Sequence, residues 1–454
     1  MRNNRKIFIS FYLVAVVVSH ASGQGILSSV SYPSMVQKSI VRTYNNQATI
    51  SYIDCGATHY FVYTDASYTS INYELDASLD VMDFVVLDDS IHFCGVDGSQ
   101  GSPQGFVGSL SIGGKLLDSP TSQIYRPFTS GNFTVDTLRE LVAFRENKTL
   151  HLVTIGTASD GNSSRAATLD ISESSTSPAW VYDIGISSIP QERILHLCMT
   201  DNHIVTAGTI YSSLCSETFR VHNKSSIFQS GGPQDTVYTF TETTNHLVDH
   251  YWDNFAITAM TGDRFAVASF FGGSNKTGLL LHAYDIPSFL NTAGAPSLFE
   301  RYLSLPSSVV NSIQIRGLAY GNVNGVFLWL MDGDFLAYGV GSAIAEIPFS
   351  TSVMTTDVSI FSNITLHTLD LFTQYFITQG VNNTMTANSF VFTKPAGGAS
   401  SCVPIYSFPT RQYVHYTKIH CWPYSVSNGK FDYVTTPATN VPKIPVEILC
   451  NETE

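Results

Sequence analysis

Short apolar runs punctuated by Asp, Asn and Gly recur along most of the chain and predict strands joined by tight turns. The clearest unit runs from Val81 to Gly95 as VMDFVVLDDSIHFCG and continues from Gly105 to Ile112 as GFVGSLSI. It reads as an apolar strand, an Asp-rich turn, a second strand ending in Gly, a loop and a third strand. The same grammar returns at Leu138 to Gly156 with Ala166 to Ile171, at Ile194 to Gly208, and at Asn254 to Gly272 with Gly278 to Ile286. Ile315 to Gly333 and Leu366 to Gly380 extend the series, and Ala48 to Leu75 is a looser first member. About seven units, mostly about 50–60 residues apart, are the mark of radial repetition.

Strands such as Val326 to Leu330 (VFLWL) and Phe265 to Ala268 (FAVA) are apolar at consecutive positions. A strand with one wet face alternates, whereas one covered on both faces need not. A small meander cannot cover both its faces alone, but meanders set around an axis cover one another. The pattern therefore predicts an all-β protein, a β-propeller of about seven blades, with six to eight compatible with the spacing. Tandem β-sandwiches sharing the same hairpin grammar are the alternative. Long helical periodicity is missing.

The N-terminus departs from this pattern. Arg2, Arg5 and Lys6 precede an apolar run from Ile7 to Val18, and the small residues Ala21, Ser22 and Gly23 follow. That order is the signature of a cleaved signal peptide, and the run falls short of the ~20 residues of a membrane span. The expected organisation is residues 1–23 as signal peptide and 24–397 as propeller repeats. Residues 398–454 would complete the last blade or form a short appendage. No later stretch is apolar for long enough to span a bilayer, so the mature chain is expected outside the cell or in the periplasm, without a transmembrane segment.

Composition agrees with sheets. Charged residues make up 13% of the chain, about half the usual share, while aromatics make up 12%. Loss of the three N-terminal cations takes the net charge from −13 to −16, and no Lys/Arg cluster offsets it, which disfavours nucleic acid as a partner. The seven cysteines contain no CxxC pair, so neither a zinc ribbon nor a thioredoxin-like motif is supported. Export permits disulfides. Cys198 and Cys215 fall on the first and third strands of one meander, about 9.6 Å apart and out of bridging range. Cys94 falls on an apolar second strand, where a buried thiol is as reasonable as a bridge. Cys402 with Cys421 is the favoured pair, and Cys450 the spare. Asn132, Asn147, Asn162, Asn223, Asn275, Asn363, Asn382 and Asn451 head Asn-x-Ser/Thr sequons, glycan sites only in a host that glycosylates them.

Units of the form D-F-x-φ-x-D-x-φ-x-F-C-G, seen from Asp83 to Gly95, resemble those of uncharacterised secreted proteins with β-propeller-like repeats. The resemblance spans the repeat region and implies a fold but no activity. Named propeller signatures are missing: no Trp-Asp dipeptide recurs, no Ser-x-Asp-x-Gly repeat occurs, and Tyr251-Trp-Asp-Asn254 is a solitary echo of a YWTD-like strand.

No GxSxG, HExxH, Walker loop or GxGxxG fingerprint occurs, so no catalytic residue is assigned and no cofactor or metal is expected. Three groupings could carry chemistry. His246, His250 and Asp253 could ligate a metal on a helix, yet they fall in a loop entering a blade. Asp332-Gly-Asp334 could act as paired carboxylates, but Asp-Gly is also a hairpin-turn dipeptide, and the turn is the expected reading. The loop from Val96 to Gly105 carries Asp97 alone and reads as a mobile connection. Function then divides between a binding scaffold with a protein or carbohydrate ligand and a carbohydrate-active enzyme, a glycoside hydrolase or lyase, with carboxylates at the propeller channel. An extracellular structural component bridged through Cys450 is a third reading.

Overall fold

The two-residue turns of the repeat fold their flanking strands into hairpins. Asp88 and Asp89 (φ 51° and 56°) and Asn147 and Lys148 (φ 48° and 70°) place both central residues in the left-handed region. This twist matches that of the strands, and Asp and Asn tolerate it better than most residues. The computed structural model describes residues 26–451 apart from 33, 45–47, 65–69, 100, 113–120, 130–132, 174–177, 185–191, 211–215, 227–235, 243–253, 274–275, 292–297, 306–309, 324, 336–338, 351–354, 373–374, 384–387, 397–401, 412–416, 424–425, 438 and 442–445, with the backbone alone from 408 onward. The expected signal peptide lies outside the described residues.

Seven antiparallel blades surround an axis, each meander running from the axis outward. The innermost strands are Lys38–Tyr44, Leu79–Leu87, Thr134–Glu146, Glu192–Met199, Phe255–Met260, Val310–Gly321 and Ile364–Phe372, in blades 1 to 7. Each sequence unit corresponds to one blade. In blade 1 the predicted stretch takes in the outer three strands and leaves out the innermost, Lys38–Tyr44, while in the other blades a fourth, outermost strand lies beyond the predicted stretch. In blade 7 that strand is Ile26–Ser31, which pairs antiparallel with Asn388–Pro395 (Ile26 opposite Thr393) and closes the ring.

The unalternating strand of blade 6 shows why the propeller needs such sequences. Phe327, Trp329 and Met331 enter one core cluster with Phe299, Leu281 and Ala283 of blade 5. Val326, Leu328 and Leu330 enter another with Leu366, Phe376 and Phe392 of blade 7. Period-2 geometry sends alternate residues to opposite faces, and here both faces are dry. Burying each large side chain contributes roughly 1.5–3 kcal/mol, so the energy of the fold resides between blades.

The C-terminal segment is a belt. Ile405–Arg411 pairs with the outer strands of blades 6 (Thr355 opposite Pro409) and 5 (Tyr302 opposite Arg411). Thr417–Pro423 adds to blade 4, and Val426–Pro437 adds first to blade 3 and then to blade 2. Thr439–Val441 adds to blade 1, and Val446–Asn451 finishes on Ile26–Ser31 in blade 7. The chain thus travels back around the ring, giving every blade a fifth strand and covering edges that would otherwise expose unpaired backbone.

The expectation that export supplies disulfides is corrected at three of the cysteines. Cys55, Cys94 and Cys198 are buried free thiols, whereas Cys402 is disulfide-bonded. Cys94 and Cys198 sit in separate inter-blade cores, which hold the blades together without a cross-link. Burial pushes both thiols up, away from the reactive thiolate. The side chain of Cys421 lies outside the described residues. The only α-helix among the described residues is the short Ile286–Asn291, and no helix there is long and apolar enough to cross a membrane.

Candidate functional site in the axial channel

A recurring irregularity builds the channel wall. In blades 2, 3, 4, 6 and 7 the innermost strand slips by one residue against its neighbour, leaving Met82, Arg139, Leu195, Arg316 and His367 without a partner across the ladder. Such a bulge bends a strand and re-aims the side chains around it. It also explains glycines that the sequence reading placed at strand ends. Gly95, Gly156, Gly208 and Gly380 lie within their second strands, opposite the bulge. A Cβ on Gly156 would stand 1.8 Å from the Thr137 carbonyl oxygen, and one on Gly208 1.8 Å from that of Arg193, so only glycine fits.

In four blades the residue after the bulge reaches the next blade. Asp83 Oδ2 accepts the Leu141 N–H at 3.0 Å, and Glu140 Oε2 accepts the Leu197 N–H at 2.6 Å. His196 bonds to the Phe255 backbone, and Thr368 Oγ1 accepts the Val41 N–H at 3.1 Å. The remaining junctions use other side chains. Arg42 donates to the Phe84 carbonyl at 3.2 Å and to Asp83 at 2.6 Å. Asn254 donates to the Ile313 carbonyl at 2.8 Å and accepts the Ile315 N–H. Ser342 Oγ accepts the Leu366 N–H at 2.8 Å. Every junction of the ring is therefore clasped from side chain to backbone. Burial pushes the Asp83 carboxyl up, against the opposing pull of Arg42 and of the Leu141 and Phe84 donors.

What remains open on this wall has a different character. Arg139, Arg316 and Gln314 are exposed at mid-strand, and Arg193 is exposed near the start of the innermost strand of blade 4. Met82, Leu195 and His367 are half-buried. Both flanks of an innermost strand are covered by neighbouring blades, so the channel is the solvent such side chains meet. Lys38 pairs with Asp80 and approaches Met82 Sδ at 3.7 Å. Arg316 Nε meets Asp332 at 2.6 Å, and Ser39 donates its N–H to His367 Nδ1 at 2.9 Å. Burial, reinforced by Arg316 and Lys38, holds His367 down at about 4, so it is neutral at ordinary pH.

The groupings picked out in the sequence fare differently. Asp332 and Asp334 lie within the strand Val326–Phe335, opposite Gln314 and Ser312, which corrects the hairpin-turn reading. Asp332 is already engaged by Arg316 and Ser342. Asp97 is buried and paired with Arg126. Burial pushes its carboxyl up, but the bonds from Ser99 and Arg126 prevail and hold it below the usual range, anchoring one end of the Gly/Ser loop. His246, His250 and Asp253 lie outside the described residues.

One grouping escaped the sequence because its members are brought together only by strand pairing. Ser172, His151 and Asp170 meet in blade 3, yet Ser172 Oγ (3.2 Å) and both Asp170 oxygens (3.2 and 3.1 Å) contact the same ring nitrogen. A nucleophile relay needs serine and carboxylate on opposite nitrogens, so this is not one. Among the described residues no group of three or more His, Cys, Asp or Glu side chains is arranged to hold a metal ion. No protein-family model matches the chain, and no curated protein matches it significantly.

Proposed function

We propose that the chain is an exported binding propeller whose ligand-facing surface is the axial channel. One observation carries this reading. Three carboxylates of the innermost strands, Asp83, Glu140 and Asp370, are engaged with neighbouring backbone donors, while exposed positions of the wall hold Arg139, Arg316 and Gln314. A glycosidase needs two carboxyl groups free to face the scissile bond, and the prominent pair, Asp332 and Asp334, has its first member tied to Arg316 and Ser342. The basic, apolar and small-residue stretches before Gln24 support export. The test is a melting-temperature screen of the exported protein against neutral and charged sugars and organic acids, with product analysis of every stabilising compound. Stabilisation without turnover, weakened by Leu195→Ala or Arg139→Gln, is the expected result. Turnover of a glycoside abolished by Asp332→Asn would overturn it. N-terminal sequencing of the exported protein should begin near Gln24.

A further inference from the structure

The chain has 36 acidic and 23 basic residues, so a channel wall drawn evenly from its composition would be acidic. The exposed ionisable positions of the innermost strands run the other way. Arg139 and Arg316 occupy bulges on blades 3 and 6, and Arg193 is exposed on blade 4. None of the acidic groups of the same strands is exposed, and most are engaged, Asp136 by the Thr134 and Ser159 hydroxyls and Glu192 by Arg220. Asp80 is paired with Lys38, Asp83 with Arg42, and Glu140 and Asp370 hold backbone donors of the next blade. Among the described residues none pairs with Arg139, and the contact of Arg316 with Asp332 runs through Nε.

We propose that the channel wall receives a small multivalent oxyanion, a phosphate- or carboxylate-bearing ligand, held by Arg139 and Arg316. This rests on the channel being the ligand site. The guanidinium fork is the side-chain group best matched to such oxygens, and blades 3 and 6 present theirs from different sides of one axis. Low-dielectric walls concentrate the field of those charges along the axis, so an anion is drawn in despite the net charge of the whole molecule. The clasps fix the wall beside both arginines: Glu140, next to Arg139, holds the Leu197 N–H of blade 4, and Asn254 of blade 5 holds the N–H of Ile315, next to Arg316.

Calorimetric titration of the exported protein with pyrophosphate and with citrate tests this, alongside glucose as a neutral probe and at two salt concentrations. Either anion should bind with an affinity that falls as salt rises, and the tighter one assigns phosphate or carboxylate as the source. Arg139→Gln, an exposed and unpaired position, should weaken binding about tenfold or more while leaving the ligand-free melting temperature unchanged. Arg316→Gln should weaken it similarly, whereas Arg264→Gln, exposed on the second strand of blade 5, should not. Absence of anion binding at about 10 mM, or wild-type affinity in Arg139→Gln, overturns the proposal. If glucose binds and Leu195→Ala weakens it while neither anion binds, the channel reading stands and only the anion fails.

Discussion

Glu140 of blade 3 holds His196 of blade 4, with the His196 Nδ1 2.7 Å from one carboxylate oxygen, while the other oxygen accepts the Leu197 N–H at 2.6 Å. Two adjacent residues of one blade thus depend on a single side chain of its neighbour. Glu140→Ala strands a backbone donor and a half-buried imidazole. It should destabilise the protein by about 2–4 kcal/mol, read as a lower urea midpoint with an unchanged slope.

The same pair carries a pH dependence. Burial opposes the charged imidazole, but Glu140 and the Phe255 backbone prevail and raise His196 above the ordinary histidine value. A raised folded value gives stability that is fully present below the unfolded value and lost as pH climbs through the folded one. Urea midpoints should therefore decline above neutral pH, and His196→Gln should remove that decline.

His92 and His367 act in the opposite direction. Burial first, then nearby cations, lowers each to about 4. Both are neutral in the folded protein, and the unfolded chain takes up protons first as pH falls through the ordinary value. Stability should drop between about pH 6.5 and about pH 4. His367→Gln retains an acceptor for the Ser39 N–H and should flatten part of that slope in melts across the same range.

Glycine tolerance should follow the bulges. Gly156→Ala drives a methyl group into the Thr137 carbonyl and should cost about 3 kcal/mol or more, or prevent folding. Gly317→Ala, in the bulged strand of blade 6, meets nothing closer than the Leu330 Cβ at 3.9 Å and should remain within about 1 kcal/mol of wild type.

The belt predicts a phenotype for truncation. Ending the chain at Pro404 removes the fifth strand from every blade and bares seven edges. Light scattering should show self-association of the truncated protein. In the full chain, hydrogen exchange should show protected amides in the outer strands Thr121–Thr129 and Pro178–Ile184, which the belt covers.

Apolar patterning, turn dipeptides and spacing were enough to reveal an all-β chain and about seven meanders, because those features report local geometry: Val326 to Leu330 needs two dry faces wherever it lies. The glycines of the second strands were legible as a repeat but not as partners of a bulge, since the Thr137 carbonyl that demands Gly156 lies across a strand pair. Asp83 and Glu140 looked like any strand-borne carboxylates, and only the meeting of adjacent blades makes them clasps. Ring closure by Ile26–Ser31 and the circuit of the C-terminal strands left no local mark either, because antiparallel pairing joins residues through backbone groups that every sequence carries. Tertiary structure alone decided which side chains face the axis, and so which charges a ligand would meet.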